Sequence, residues 1–194
     1  MKFRSKLCVL VVSFLSGTIS THANTIDQDS PIADFPNLSY SGTVQSFQQS
    51  SSNISGAGIL ISSNLSANVV LSIWDSLPTQ TGVALATGTT GFGGAAPGWY
   101  DVFWAPIQVT PDTTYYLFIN NSGGLISGNN NKYSRGEWYA GSSAPSGFSV
   151  FPQYDMSFRT YTSPVAVPEP TSLLLMLVGA MAIGVKVSRN CRSR

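Results

Sequence analysis

The residues that carry much of enzyme chemistry, histidine and cysteine, are confined to the two ends of this chain of 194 residues. The single histidine is His22, and the two cysteines are Cys8 and Cys191. Residues 24–163 therefore lack the imidazole and thiol groups that Ser-His-Asp, Cys-His and ordinary zinc sites require. This excludes those sites from the central segment and leaves carboxylates, amides and aromatic rings as its functional groups.

Carboxylate chemistry is the catalytic class that the central segment still allows. Glycoside hydrolysis uses a pair of Asp or Glu side chains that flank the scissile bond. No spacing in the sequence singles out such a pair, and we therefore expect a protein that is not an enzyme. The carboxylates open to a less favoured, glycan-active alternative are Asp75, Asp101, Asp112, Glu137 and Asp155.

A run of amide side chains, Asn129, Asn130 and Asn131, is a weak candidate for a structural calcium site. Calcium takes oxygen ligands from Asn and Asp. No EF-hand or nonapeptide spacing accompanies the run, and asparagine is common in turns because it tolerates a left-handed backbone. We therefore expect a turn here and no metal or cofactor, with calcium as the alternative.

Two pairs of aromatic residues are the candidate ligand-binding groups, namely Trp99 with Tyr100 and Trp138 with Tyr139. Sugars stack on the rings of exposed Trp and Tyr, which offer apolar area with a polar edge. The alternative is that these rings pack in the core or at its rim. If the rings are exposed, the two pairs predict a carbohydrate-binding module with an aromatic platform.

Charge is distributed unevenly along the chain. Seven of the ten Lys and Arg residues lie in residues 2–6 and 186–194. Residues 24–163 hold three basic and eight acidic residues, hence a net charge of −5. An acidic central segment argues against nucleic acid as a partner, and two basic ends indicate targeting segments.

The N-terminal 23 residues have the three parts of an export signal. Basic residues 2–6 precede an apolar run at 7–15, and a small polar stretch ends at Ala23. The apolar run is too short to span a bilayer, which takes about 20 residues. We predict a signal peptide with a helix over residues 1–23, cleaved after Ala23.

The C-terminal end predicts a second targeting segment. We expect a linker at 163–170, a transmembrane helix at 171–187 and a basic cytoplasmic tail at 188–194. Two prolines keep the end of the linker extended, as a protease substrate must be. The motif at this position consists of Val167, Pro168, Glu169 and Pro170.

This combination of Pro-Glu-Pro, a short apolar helix and an Arg-rich end resembles the PEP-CTERM sorting signal of Gram-negative bacteria. The resemblance covers residues 167–194. It implies that an exosortase, a membrane-embedded protease, cuts near the motif. It also implies a body that is first held in the periplasm by the inner membrane and then reaches the cell surface or the extracellular space.

The body, residues 24–162, reads as all-β. Short alternating runs occur at 68–75, 99–104 and 113–120, separated by Gly, Pro and Asn turns. About eight to ten antiparallel strands of this kind predict a β-sandwich, in particular a jelly roll. The body also resembles bacterial extracellular jelly-roll domains of the choice-of-anchor and carbohydrate-binding-module type, through residues 71–78, 82–88, 99–102 and 113–117.

These observations together favour an exported, non-enzymatic surface or matrix protein that is associated with exopolysaccharide or biofilm. Its expected partners are an exosortase-type protease and a polysaccharide, with the inner membrane as its location before processing.

Overall fold

The computed structural model describes residues 23–38, 42–78, 82–91, 94–121, 125–141 and 147–164. These residues form β-strands joined by turns and loops, without an α-helix. The strands are β1 (Thr25–Asp29), β2 (Phe35–Leu38), β3 (Gly42–Gln48), β4 (Asn53–Ile61), β5 (Val69–Trp74), β6 (Ala86–Thr90), β7 (Gly98–Gln108), β8 (Thr114–Asn121), β9 (Ile126–Asn129), β10 (Trp138–Gly141), β11 (Ser149–Phe151), β12 (Asp155–Met156) and β13 (Phe158–Thr162).

The strands form two antiparallel sheets. The seven-stranded sheet has the order β1-β13-β4-β9-β12, with β7 paired to β4 and β2 paired to β9. The six-stranded sheet has the order β11-β10-β3-β8-β5-β6. The prediction of an all-β fold with antiparallel pairing is confirmed for the part of the chain that the structure describes.

A single hydrophobic core is built from both sheets. Phe47 and Leu117 come from the six-stranded sheet, and Ile59 and Phe158 from the seven-stranded sheet, and none of the four is exposed to solvent. Alternation along each strand sends every second side chain inward. Val69, Leu71 and Ile73, which the alternation of the predicted strand places on one side of β5, are fully buried.

β3 is a strand that the sequence pattern did not predict. Its segment Gly-Thr-Val-Gln-Ser-Phe-Gln looks polar, yet the first six of its seven residues are buried. The inward side chains Thr43 and Gln45 lie within the core, and Gln45 donates a hydrogen bond to Asp155 Oδ1 at 2.9 Å. A polar side chain is tolerated in a core when such a partner satisfies it, and that partner is 110 residues away.

The predicted signal helix (1–23) and transmembrane helix (171–187) lie outside the described residues, apart from Ala23 itself. Within the described ranges, no helix has the length and apolar character needed to cross a membrane.

Candidate functional site

The outward side of the seven-stranded sheet carries a compact cluster around one ion pair, here called the ion-pair face and defined by Trp99, Asp101, Phe103, Arg159 and Tyr161. Arg159 donates to Asp101 through both Nε and a terminal nitrogen, with Nε 2.8 Å from Oδ1. The hydroxyl of Tyr161 donates to the same oxygen at 2.9 Å. The guanidinium of Arg159 also lies 4.2 Å from the ring centroid of Trp99.

Electrostatics follow from this packing. The hydrogen bond to Asp101 raises the pKa of Arg159 above its usual value. Burial, together with the hydrogen bond to Asp101, raises the pKa of Tyr161 to about 12. Both groups are therefore protonated at neutral pH, and their hydrogen bonds to Asp101 link β13 to β7.

The outward side of the six-stranded sheet carries an aromatic stripe, defined by Trp74, Tyr116, Phe118 and Tyr139. Trp74 lies directly opposite Tyr116 across the β5–β8 pair. The rings of Tyr116 and Tyr139 have centroids 6.1 Å apart with an edge-on geometry. All four side chains are half-buried, so each ring keeps part of its surface in solvent.

The structure does not bring the four predicted aromatic residues together. Trp99 and Tyr100 are neighbours on β7 and point to opposite faces, Trp99 outward and Tyr100 against the core. Trp138 is 1% exposed and belongs to the core, where its ring lies 4.6 Å from that of Phe151. Tyr139 is half-buried and belongs to the aromatic stripe.

The sequence reading missed Trp74, Tyr116 and Phe118, the other three members of the stripe. The signal was present for two of them, because the predicted alternation of β8 placed Tyr116 and Phe118 on the side opposite Leu117 and Ile119. The pattern could not predict which strands are neighbours. In the sheet, β5 lies beside β8 and β10 lies beside β3, and this order depends on the whole fold.

The three asparagines form a tight connection that starts in a strand. Asn129 belongs to β9 and is fully buried; its amide nitrogen donates to Ser30 Oγ at 2.8 Å, and its Oδ1 accepts from Lys132 N at 2.9 Å. Asn131 has a φ of 47°, the left-handed backbone expected of a turn. Both the nitrogen and the oxygen of the Asn129 side-chain amide are therefore hydrogen-bonded to other groups of the protein.

The described ranges contain no group of three or more His, Cys, Asp or Glu side chains arranged to hold a metal ion.

Three of the five candidate carboxylates are tied to local structure, whereas Oε2 of Glu137 is buried and has no hydrogen-bond partner. Besides Asp101, Asp112 forms an ion pair with Arg135 at 2.5 Å, and Asp155 is fully buried between Gln45 and the backbone N–H of Tyr133. Burial raises the pKa of Asp155, and the nearby charge of Glu137 adds to the rise. Asp155 therefore has a second carboxylate, that of Glu137, nearby, but it has no access to solvent and hence to a glycosidic bond.

The two ends of the body meet at one pole. Thr25, where β1 begins, lies opposite Thr162, where β13 ends. The side chain of Asn53 fixes the outgoing chain, since its Nδ2 donates to Ser163 O and its Oδ1 accepts from Ser163 N, both at 3.0 Å. An open cleft at this pole is lined by Thr25, Ser51, Ser52, Asn53, Thr162, Ser163 and Pro164.

Both predicted processing points are close in sequence to the residues of this pole. Ala23 is two residues before β1, and the Val-Pro-Glu-Pro motif at 167–170 follows Ser163 closely in the chain. The motif residues themselves lie outside the described ranges.

Comparison with known proteins bears on this last segment. No curated protein matches the chain. Residues 166–190 match the family model described as the PEP-CTERM protein-sorting motif. The match contains the Val-Pro-Glu-Pro residues, the apolar run and part of the basic end. The segment that follows the pole fixed by Asn53 is therefore similar to the PEP-CTERM protein-sorting motif.

Proposed function

We propose that this chain is an exported, non-enzymatic surface or matrix protein whose body is delivered by exosortase-type processing of its C-terminal signal. The observation that carries the proposal is the sorting motif at residues 166–190, which implies export and sorting to the cell surface. The two-sheet body then carries the function outside the cell, and the two ends of the chain direct its export and sorting.

The geometry of the pole supports this reading. Val167 follows the clamped residue Ser163 by four positions, and four extended residues reach at most about 14 Å. We therefore infer that the pole with Asn53 faces the membrane and the protease, because the motif begins only four positions after Ser163.

Several finer steps belong to the same proposal. Cleavage after Ala23 removes a signal peptide, residues 171–187 span the inner membrane, and the body waits in the periplasm until the motif is cut. The two sheets form a sandwich of jelly-roll type. The final location is the cell surface or an exopolysaccharide layer.

The proposal that the body has no catalytic role is supported by its side chains. Residues 24–163 contain neither His nor Cys, Asp101 and Asp112 are paired with arginines, and Asp155 is buried. A second candidate function is carbohydrate binding, which the half-buried aromatic stripe favours.

Sorting is tested by cell fractionation of the full chain with both prolines of the motif replaced, Pro168→Ala with Pro170→Ala. We expect an uncut form that stays in the membrane fraction, because the segment loses its extended backbone. Pro164→Ala, in the same linker but outside the motif, is the matched control and should be released normally. Normal release of the double variant would refute exosortase processing.

A further inference from the structure

The outward side of the six-stranded sheet forms one continuous surface across four strands. The register places Trp74 opposite Tyr116, Phe118 opposite Val44 and Val44 opposite Tyr139. From β5 to β10 this crosses three strand intervals, about 14 Å at the usual spacing. A surface of this length accommodates a chain of several sugar rings.

Val44 shows how closely the rings cover the sheet. It points away from the core and is not part of the core cluster, yet it has no solvent exposure. Its register neighbours on this side are Phe118 and Tyr139. The outer side of the sheet therefore covers Val44 completely. Tyr116 and Tyr139 pack on each other, Phe118 packs on Phe148 with ring centroids 6.1 Å apart, and Trp74 is held by its hydrogen bond to Ser72.

Polar side chains border the stripe. Trp74 Nε1 donates to Ser72 Oγ at 2.8 Å, and Ser46, on the same side of β3, exchanges hydrogen bonds with the backbone of Glu137. Two charged side chains lie at the edge of the stripe, Glu137, whose charge acts on Tyr139, and Arg135, which donates to Gln48 at the end of β3. The outward-pointing residues described on β3, β5, β6, β8, β10 and β11 include no Asp, Glu, Lys or Arg. Rings with hydroxyl edges complement the apolar faces and hydroxyl groups of a sugar.

The ion-pair face is less suited to this role. The ring of Trp99 is covered on one side by the guanidinium of Arg159, and Tyr161 is only 7% exposed. Its two charged side chains are also engaged with each other in the ion pair, which leaves them few groups to offer a ligand. The stripe has neither feature.

We propose that the aromatic stripe binds a neutral polysaccharide chain, which stacks its sugar rings on Trp74, Tyr116 and Tyr139. This inference rests on the proposed delivery of the body to the cell surface, since that is where such a polymer is met. The outward side chains of the stripe are uncharged and the carboxylate of Glu137 lies beside Tyr139, which favours a neutral polymer over an anionic one.

The test uses the purified full chain in detergent with soluble neutral glucan, mannan and galactan as probes and alginate as the anionic comparison. Binding is measured by calorimetry. We expect binding to at least one neutral polymer, and a loss of at least about tenfold in affinity for Tyr116→Ala and for Tyr139→Ala, as for other central aromatic contacts.

Phe103→Ala, which removes an exposed ring from the opposite face, is the matched control and should bind like the unmodified chain. Tyr139→Phe keeps the aromatic ring and removes only the hydroxyl group. It should fold normally and retain most of the affinity for the polysaccharide. Circular dichroism checks the fold of every variant.

Absence of binding to all three neutral polymers would overturn the inference, as would binding to alginate alone or an equal loss in Phe103→Ala. Preferential capture of a protein on the stripe would assign it to a protein partner instead. Fractionation of Tyr139→Ala separates this inference from the proposed delivery, because the variant should still be cut and released.

Discussion

Asp101 on β7 and Arg159 on β13 form an ion pair across the strand that lies between them. Gly58 of β4 is the residue opposite both. A methyl group at Gly58 would lie 2.0 Å from Asp101 Oδ1, so the pair exists because this position has no side chain. Gly56, two residues earlier, has the same relationship to the ring of Phe103, which packs 4.9 Å from that of Tyr161.

Gly58→Ala should therefore destabilise the body by breaking the ion pair and not by changing strand propensity. We expect a loss of about 1–3 kcal/mol in the free energy of unfolding, typical of a disrupted partly buried network. Chemical denaturation measures it. In the background of Asp101→Ala the same change should cost much less, since the clash is gone; equal costs in both backgrounds would contradict the explanation.

Asn53→Ala should loosen the end of β13. It removes the two hydrogen bonds to Ser163 and the one that Thr162 Oγ1 donates, at a cost of about 1–3 kcal/mol. Hydrogen exchange should show faster exchange at Ser163, whose N–H is bonded to the lost side chain. Asn24→Ala at the same pole serves as the control. Unchanged exchange at Ser163 would show that the clamp is not needed.

The pKa of Tyr161 makes stability depend on alkaline pH. It is raised from 10.0 to about 12, so the folded state holds the phenolic proton more tightly than the unfolded state. This contribution is complete below pH 10 and is lost as the pH rises through about 12. Denaturation at a series of alkaline pH values should show that the free energy of unfolding falls less steeply with pH for Tyr161→Phe than for the unmodified chain. Parallel curves of this free energy against pH for the two proteins would argue against the contribution of Tyr161.

Trp138 and Tyr139 should respond very differently to truncation although they are neighbours. Trp138→Ala empties a core position packed against Phe151 and should cost about 3–5 kcal/mol. Tyr139→Ala removes a half-buried ring from the outer face and should cost about 1 kcal/mol. Urea denaturation compares them. A similar loss for both would mean that the stripe is part of the core.

The sequence predicted the strands whose apolar residues alternate, including β5, the start of β7 and β8, together with which residues of each strand share a side. It also predicted the sorting motif, because that signal is local and needs no folded partner. It did not predict β3, whose inward polar residue Gln45 becomes acceptable only through Asp155. Pattern within one strand says nothing about a hydrogen-bond partner far along the chain.

The same limit applies to the candidate binding surfaces. Adjacent aromatic residues in a strand point to opposite faces, so Trp99 with Tyr100 and Trp138 with Tyr139 cannot form one platform as pairs. The stripe takes one ring from each of several strands, and the order of those strands is a property of the whole fold. Composition indicated Trp and Tyr as candidate residue types, and the order of the strands decides which of them lie side by side.

The position of β13 has a consequence for how the protein is made. Ribosomes complete the N-terminal part of a chain first, yet β1 and β4 both pair with β13, which ends at Thr162. Both strands therefore lack this neighbour until nearly the whole body has been synthesised. Pairings so distant in sequence make folding slow, and unpaired strand edges invite aggregation in the meantime. Holding the chain unfolded until its last strand is available is a requirement that the fold itself imposes.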